Sequence, residues 1–425
     1  MHMPAGTPEA PILTADPPLM LERLRQRLAP WRWPLPADAL PAGTALVGGA
    51  VRDALLDRLA DRPDLDLIVP TDGVALGRRL ARELGGSCVA LDPQRGIGRW
   101  IRHGWTIDLA QQEGDDLLTD LARRDYSANA IALPLAPAAA LLDPQHGLED
   151  LRAGRLRALG EANLLADPLR LLRGPRLAAE LGLRLEPGTE HWIRRHAARL
   201  ATVAGERVLS ELERLAAAPA GGAGLEQVLD LGLLAPWSSG EGGSGVPAPG
   251  GLDPARARAL GLEEADSAWA LPLARLASVL DGAAVRRLRG SRRLEQRCAD
   301  LRWAWRQLGG NGPEQAGLGE AAQLRLHSRL EKDWPALLLA LPLADARPSL
   351  TRWRDGSDPL HHPRPPLDGR SLQQELGLAP GPQLGALLNH LTRERAFGRL
   401  PTGADPLRAA RLWLEKGPTG EGWRD

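Results

Sequence analysis

Hydrophobic and polar positions change their period along the chain, and the change divides it. Residues 1–18 are rich in proline, and apolar residues at helical spacing follow over about 19–28. From Ala45 the pattern turns to short apolar runs separated by helical stretches. ALV at 45–47 reads as a strand, Gly48-Gly49 as a turn and VRDALLDRL as a helix. DLDLIV at 64–69 reads as the next strand, after which Leu76, Leu80 and Leu84 mark one helix face. SCVAL at 87–91 and the segments around RWI and WTIDLA (99–110) read as further strands, the last two joined by a tight turn at His103-Gly104. From about 163 onward there is almost no strand pattern. Helical runs rich in Leu, Ala, Arg and Glu reach about 236, and SSGEGGSGVPAPGG at 238–251 has a flexible linker's composition. Helical patterns resume over 252–345 and again over 370–415, with HHPRPP at 361–366 between them. The pattern reads as an α/β domain ending near residue 150, followed by a mainly helical body and tail.

Composition narrows the function classes. With 43% hydrophobic and 25% charged residues in 425, the chain reads as globular and multi-domain. Lysine occurs only at 332 and 416, so almost all positive charge is arginine, a bias too global to locate a site. Net charge is zero but uneven. Residues 1–150 carry 15 Arg against 21 acids, and the remainder 38 basic residues against 32 acidic. An acidic front suits a metal–carboxylate site, and a basic back suits a polyanion such as RNA. Cys88 and Cys298 are far apart and the nine His form no cluster, so neither a disulfide framework nor a zinc site is indicated. No apolar run approaches the roughly 20 residues of a membrane span, and the first residues lack a signal peptide's pattern. The expected location is the cytoplasm, with no membrane partner.

Three features carry chemistry. In Asp64-Leu65-Asp66 strand alternation puts both carboxylates on one face and Leu65 and Leu67 on the other. Two such acids repel unless a cation lies between them, and a hard divalent ion prefers their oxygens; an isolated pair of this kind is otherwise a solvated strand face. Upstream, Gly48-Gly49-Ala50-Val51-Arg52-Asp53 stands at a strand-to-helix junction. There glycines admit a ligand to the backbone and Arg52 reaches the same anion. It lacks the ending of a Walker loop. Asp108 alternates with Ile107 and Leu109 and completes an acidic triad if its strand neighbours the first; it could then bind metal and help deprotonate a hydroxyl.

These features stand in order with Arg123-Arg124-Asp125-Tyr126-Ser127-Ala128-Asn129-Ala130, DPQHGLEDLRAGRLR at 143–157 and ADPLRLLRGPRLAAELG at 166–182. The series, over about 44–215, resembles the bacterial class II tRNA nucleotidyltransferase and poly(A) polymerase family of the DNA polymerase β superfamily. The resemblance implies an α+β chain: an N-terminal extension (1–43), a head of that fold with a small mixed sheet (44–160), a helical neck and body (161–237), a linker (238–251) and a helical tail (252–425), the helical part binding the tRNA acceptor end. It implies that Gly48, Gly49 and Arg52 hold a triphosphate, that Asp64 and Asp66 bind two Mg²⁺ ions, and that Asp108 is the third acid. Arg124, Asp125 and Asn129 would contact ribose and phosphates, and Asp167 with Arg170 would read the base of CTP or ATP. A carboxylate accepting from an exocyclic amine beside an arginine donating to a ring nitrogen fits cytosine or adenine, and positions i and i+3 of one helix would face the same way. GERVLSEL at 205–212 resembles a helix that supports this template.

Departures from the family pattern are informative. Ala166 stands where the template motif has glutamate, and Pro175 inside the helix predicts a kink near Leu171. Only QQEGDDLLTDLA separates Ala110 from Arg123. Family members that build the whole CCA end carry a flexible loop there, whereas CC-adding members lack it. The reading is therefore CMP addition, with complete CCA addition, A-addition and poly(A) synthesis as alternatives, and a catalytically dead RNA-binding homologue as the non-enzymatic one. The tail has no His-Asp motif pair of a phosphohydrolase. A small-molecule or protein nucleotidyltransferase would need neither the RRD nor the DPLR motif.

Overall fold

The computed structural model describes residues 11–136, 138–237, 245–313, 316–401 and 403–416. The chain divides into two units, Met1–Val203 with Leu231–Leu233, and Ala204–Asp230 with Leu234–Asp425.

In the first unit, helix α1 (Pro17–Leu28) buries Met20, Leu24 and Leu28. It starts two residues before the predicted helix, because proline is tolerated in a first turn where its missing N–H has no partner to lose. Six strands form one mixed sheet: β1 (Ala45–Val47), β2 (Leu65–Val69), β3 (Ser87–Asp92), β4 (Ile97–Arg102), β5 (Trp105–Gln111) and β6 (Ala132–Pro134), in the order β3-β4-β5-β2-β1-β6. Only β2 and β5 run parallel; the other neighbours are antiparallel. Strands β1 to β5 follow the sequence pattern, and the three-residue β6, closed by Pro134, was not apparent in it.

Between the strands lie α2 (Gly49–Leu55), α3 (Gly73–Leu84), α4 (Leu117–Ala122) and α5 (Gly147–Arg152). On one sheet face Leu46, Leu67, Leu109 and Leu133 stand opposite one another and are buried. Helix α3 lies tight against the sheet, since a Cβ at Gly73 would come within 2.0 Å of the Leu109 carbonyl oxygen. The other face is half covered, by Leu121 of α4 over Ala45, Val47, Ile68 and Ala132. The acids lie on the rest of this face.

The unit ends with β7 (Arg155–Leu156), α6 (Glu161–Ala166), α7 (Leu169–Leu181), β8 (Arg184–Leu185) and α8 (Pro187–His196). Strands β7 and β8 are a two-residue parallel pair, too short to show in the sequence pattern. Helix α7 runs unbroken through Pro175.

The second unit is helical: α9 (Gly205–Ala217), α10 (Gly221–Asp230), α11 (Pro254–Leu260), α12 (Glu264–Val279), α13 (Gly282–Arg287), α14 (Arg292–Leu308), α15 (Glu320–Leu330), α16 (Trp334–Leu338), α17 (Leu343–Arg354), α18 (Gly369–Leu376), α19 (Pro382–Ala396) and α20 (Pro406–Lys416). Buried Arg275 of α12 donates to the carbonyls of Leu252, Ala216 and Ala218, joining α9 and the segment before α11. Of the expected linker, 238–244 lies outside the described residues. Pro249–Gly251 is an ordered turn, with Pro249 buried and the Gly250 N–H donating to Glu226 of α10. The GERVLSEL segment lies in α9, with Val208, Leu209 and Leu212 buried. Among the described residues no helix is long and apolar enough to cross a membrane.

Candidate functional site

Sheet register builds the acidic site. Val47, Asp66, Asp108 and Arg99 stand opposite one another across β1, β2, β5 and β4. Residues directly opposite point to the same face, so Asp66, Asp108 and Arg99 form one row. Asp64 precedes β2 by one residue and is exposed. The Asp66 and Asp108 strands are neighbours, which is the condition on which the acidic cluster depended. Gly48 packs against this row: its φ is 74° and an added Cβ would lie 2.9 Å from Asp66 Oδ2 and 3.7 Å from Arg124 Nη1. Glycine is required both by the backbone angle and by the carboxylate beside it. Burial, then the charges of Asp108 and Asp64, push the Asp66 carboxyl up to about 6 against the pull of Arg124. Acids crowded enough to raise a carboxyl, and offering only oxygen donors, fit a hard divalent cation.

The sequence reading missed Arg99. Its Nε and Nη2 donate to Asp108 Oδ1 and Oδ2 at 2.7 and 2.8 Å. Its own ionisation is favoured first by this bond, then by the charges of Asp108, Asp64 and Asp66. Among the described residues no group of three or more His, Cys, Asp or Glu is disposed to hold a metal as it stands. The signal for Arg99 was in the chain. A two-residue turn at His103-Gly104 sets the register, and Arg99/Asp108 is the fourth pair outward from it.

A second cluster joins this row to α7. Buried Arg52 donates to Asn129 Oδ1 at 2.6 Å and to Asp53 Oδ1 at 2.8 Å. Asn129 Nδ2 donates in turn to Asp125 Oδ1 at 3.1 Å. Asp125 Oδ2 lies 3.1 Å from Arg173 Nη1, an ion pair without hydrogen-bond alignment. Burial works to raise the Asp125 pKa, yet Arg173, Asn129 and Arg170 hold it below the usual carboxylate range. Arg124 approaches Asp120 at 3.4 Å, and its buried Nε has no hydrogen-bond partner. The charges of Arg124 and Arg173 both reach Asp66, so the two clusters are electrostatically one site. Arg173, like Arg99, was not among the expected site residues.

The base-reading pair is arranged otherwise than predicted. Asp167 is not on the helix with Arg170. It is extended (φ −142°, ψ 102°) and precedes Pro168, the N-cap of α7. The residue before a proline is pushed out of helical conformation by the ring, so helical i, i+3 phasing does not apply. Arg170 Nη1 donates to the carbonyls of Arg123 and Asn163 at 2.9 and 2.8 Å. Asn163 Nδ2 donates to the carbonyls of Ala122 and Arg124, both at 2.8 Å. Tyr126 donates to the Arg170 carbonyl at 2.7 Å, and a Cβ at Gly174 would lie 2.5 Å from its hydroxyl oxygen. The glycine inside α7 thus makes room for the phenol tying the helix to the RRD segment.

Comparisons with known proteins agree with this architecture. A model of the poly A polymerase head domain matches residues 101–157, and one of the probable RNA- and SrmB-binding site of polymerase A matches 182–238. The chain is similar to the CC-adding tRNA nucleotidyltransferase of Synechocystis sp., 34% identical over 404 residues covering 89% of this chain and 96% of that protein. It is 40% identical over 210 residues to the A-adding tRNA nucleotidyltransferase of Deinococcus radiodurans, covering 47% of this chain and 46% of that one. In fold it is similar to the Bacillus stearothermophilus CCA-adding enzyme in complex with CTP, with a TM-score of 0.65 and 22% identity over 95% of this chain and 98% of that one. A match along nearly the whole of the Synechocystis protein, on top of the ordered motifs, places the chain in the family of tRNA nucleotidyltransferases, and it is a nucleotidyltransferase.

Proposed function

We propose that the protein adds CMP residues, the CC of the CCA end, to the 3′ end of tRNA from CTP, releasing pyrophosphate. Enzymes of this polymerase β type generally use divalent metal ions. The reading here is two Mg²⁺ ions on Asp64 and Asp66, with Asp108 as third acid. When bound they supply positive charge for the triphosphate and the departing pyrophosphate. The backbone at Gly48 and Gly49, with Arg52 and Arg124, holds the triphosphate. Arg124 suits the task, since its buried Nε is unpartnered and its charge reaches Asp66. Asp125 and Asn129 orient Arg52 and the ribose, while Asp167 and Arg170 read the base. The 3′ oxygen of the RNA forms a bond to the α-phosphorus as the bond to the β-phosphate oxygen breaks. Asp108 accepts the hydroxyl proton. The basic helical part grips tRNA by shape and phosphates, in the cytoplasm.

The observation that carries CC specificity is the order of the segment between Asp108 and Arg123. Asp116 caps α4 by accepting from the Thr119 N–H at 2.7 Å. Fully buried Asp120 accepts from the Glu113 N–H at 3.1 Å and pairs with Arg123 at 2.6 Å. Glu113 pairs with Arg95 at 2.7 Å. No stretch is left for the flexible loop that the switch to adenosine needs. The test is nucleotide incorporation into a tRNA lacking its CCA end, with CTP, ATP or both, resolved at single-nucleotide length. Two cytidines and a stop with both nucleotides present support the proposal. Addition of all three overturns it in favour of complete CCA addition, and ATP incorporation confined to RNA ending in CC makes the enzyme A-adding.

A further inference from the structure

Arg99 stands at the end of the acidic row and holds Asp108 with both arms of its guanidinium, at 2.7 and 2.8 Å. Its charge also interacts with Asp64 and Asp66. A bidentate arginine takes one lone pair from each oxygen of the carboxylate. A divalent ion chelated by both oxygens takes the guanidinium's place, and one bound through the lone pairs that remain meets its positive charge at close range. Its side chain is 40% exposed and that of Asp108 23%, so the arginine can swing into solvent without breaking the core.

We propose that Arg99 is a built-in counter-cation of the acidic site: it neutralises Asp108 in the metal-free protein, gives it up when a divalent cation binds, and thereby lowers the site's affinity for that cation. This rests on the reading of Asp64 and Asp66 as cation ligands. A site of three mutually repelling acids is stabilised by the guanidinium until cation and triphosphate arrive together. A cation arriving alone must displace it. Arg99 is then a positioning residue, acting through Asp108 and touching neither nucleotide nor RNA.

The direction of the effect separates this role from a structural one. If Arg99 merely holds Asp108 in place for the metal, its removal weakens binding. If it competes, removal frees a ligand, takes away a repelling charge and tightens binding. The experiment measures Mn²⁺ affinity of the full-length protein by electron paramagnetic resonance, without nucleotide or RNA, for wild type, Arg99→Gln, Arg99→Lys and the double variant Asp64→Ala/Asp66→Ala. Arg99→Gln is expected to bind Mn²⁺ about three- to tenfold more tightly, the scale of a partly exposed ion pair plus one removed repulsion. Arg99→Lys, which keeps the charge but loses the fork, is expected between the two. Unchanged or weaker binding in Arg99→Gln overturns the proposal. If that variant does not fold, unchanged or weaker binding in Arg99→Lys does the same. Wild-type Mn²⁺ affinity in the double variant would instead show that the cation site itself is misplaced.

Discussion

Substitution of Gly48 by alanine probes the point where backbone and chemistry meet. At φ 74° and ψ −137° an L side chain is strained, at a cost of about 1–3 kcal/mol. The added Cβ would also lie 2.9 Å from Asp66 Oδ2, where ordinary contact begins near 3.4 Å. The carboxylate must therefore retreat by about 0.5 Å, and displacements of that order in a reacting centre cost about ten- to a hundredfold in rate. Strain alone should lower the melting midpoint of the first unit by about 2–4 °C per kcal/mol. Gly85→Ala separates the two effects, because Gly85 has φ 85° but no atom within 4 Å of the added Cβ. The assays are thermal unfolding and single-turnover CMP incorporation at saturating CTP and tRNA. Both variants should melt earlier, and only Gly48→Ala should lose rate. Full activity in Gly48→Ala, or an equal loss in Gly85→Ala, refutes the reasoning.

Three further outcomes are expected. Asn163→Ala removes the donors to the Ala122 and Arg124 carbonyls beside Arg170; it should raise misincorporation of UMP in a primer-extension assay more than it lowers CMP addition, and unchanged fidelity would detach Asn163 from base reading. Burial, then the charges of His361 and Arg352, press His327 down to about 3 against an ordinary value of 6.5. The unfolded chain then binds the extra proton between those values, so stability is lost as pH falls below about 6.5, by about 1.4 kcal/mol per pH unit for that group. His327→Phe should flatten the dependence of the second unit's melting temperature on pH between 4 and 6.5, and an unaltered slope would count against it. Finally, tRNA affinity should fall linearly with log salt concentration, as for phosphate-led binding, and a salt-independent affinity contradicts that docking mode.

Much of the head was legible because its strands alternate cleanly. Period two put Asp64 and Asp66 on one face, and the burial of Leu65 and Leu67 at 0% and 1% exposure fits that reading. The glycine pair and the ordered motifs located the remaining candidates. What was not legible depends on register or on neighbours beyond the local window. Arg99 meets Asp108 only through hairpin pairing, and Arg173 meets Asp125 only through the docking of α7. The helical phase assigned to Asp167 failed for a local reason, since Pro168 makes it extended. The reason for Gly174 inside α7 is likewise distant in sequence, since an added Cβ there would meet the Tyr126 hydroxyl. The second unit's helices were readable by periodicity, whereas Arg275, buried and donating to four carbonyls, gives no pattern along the chain.

The proposed site puts the transfer on the carboxylates of Asp64, Asp66 and Asp108. It is tested most directly by single-turnover CMP incorporation with Asp64→Ala, at saturating CTP and Mg²⁺, with tRNA affinity measured on the same preparation. Incorporation is expected to disappear while tRNA binding stays near wild type. Incorporation at an appreciable fraction of the wild-type rate would contradict it and move the chemistry away from this row.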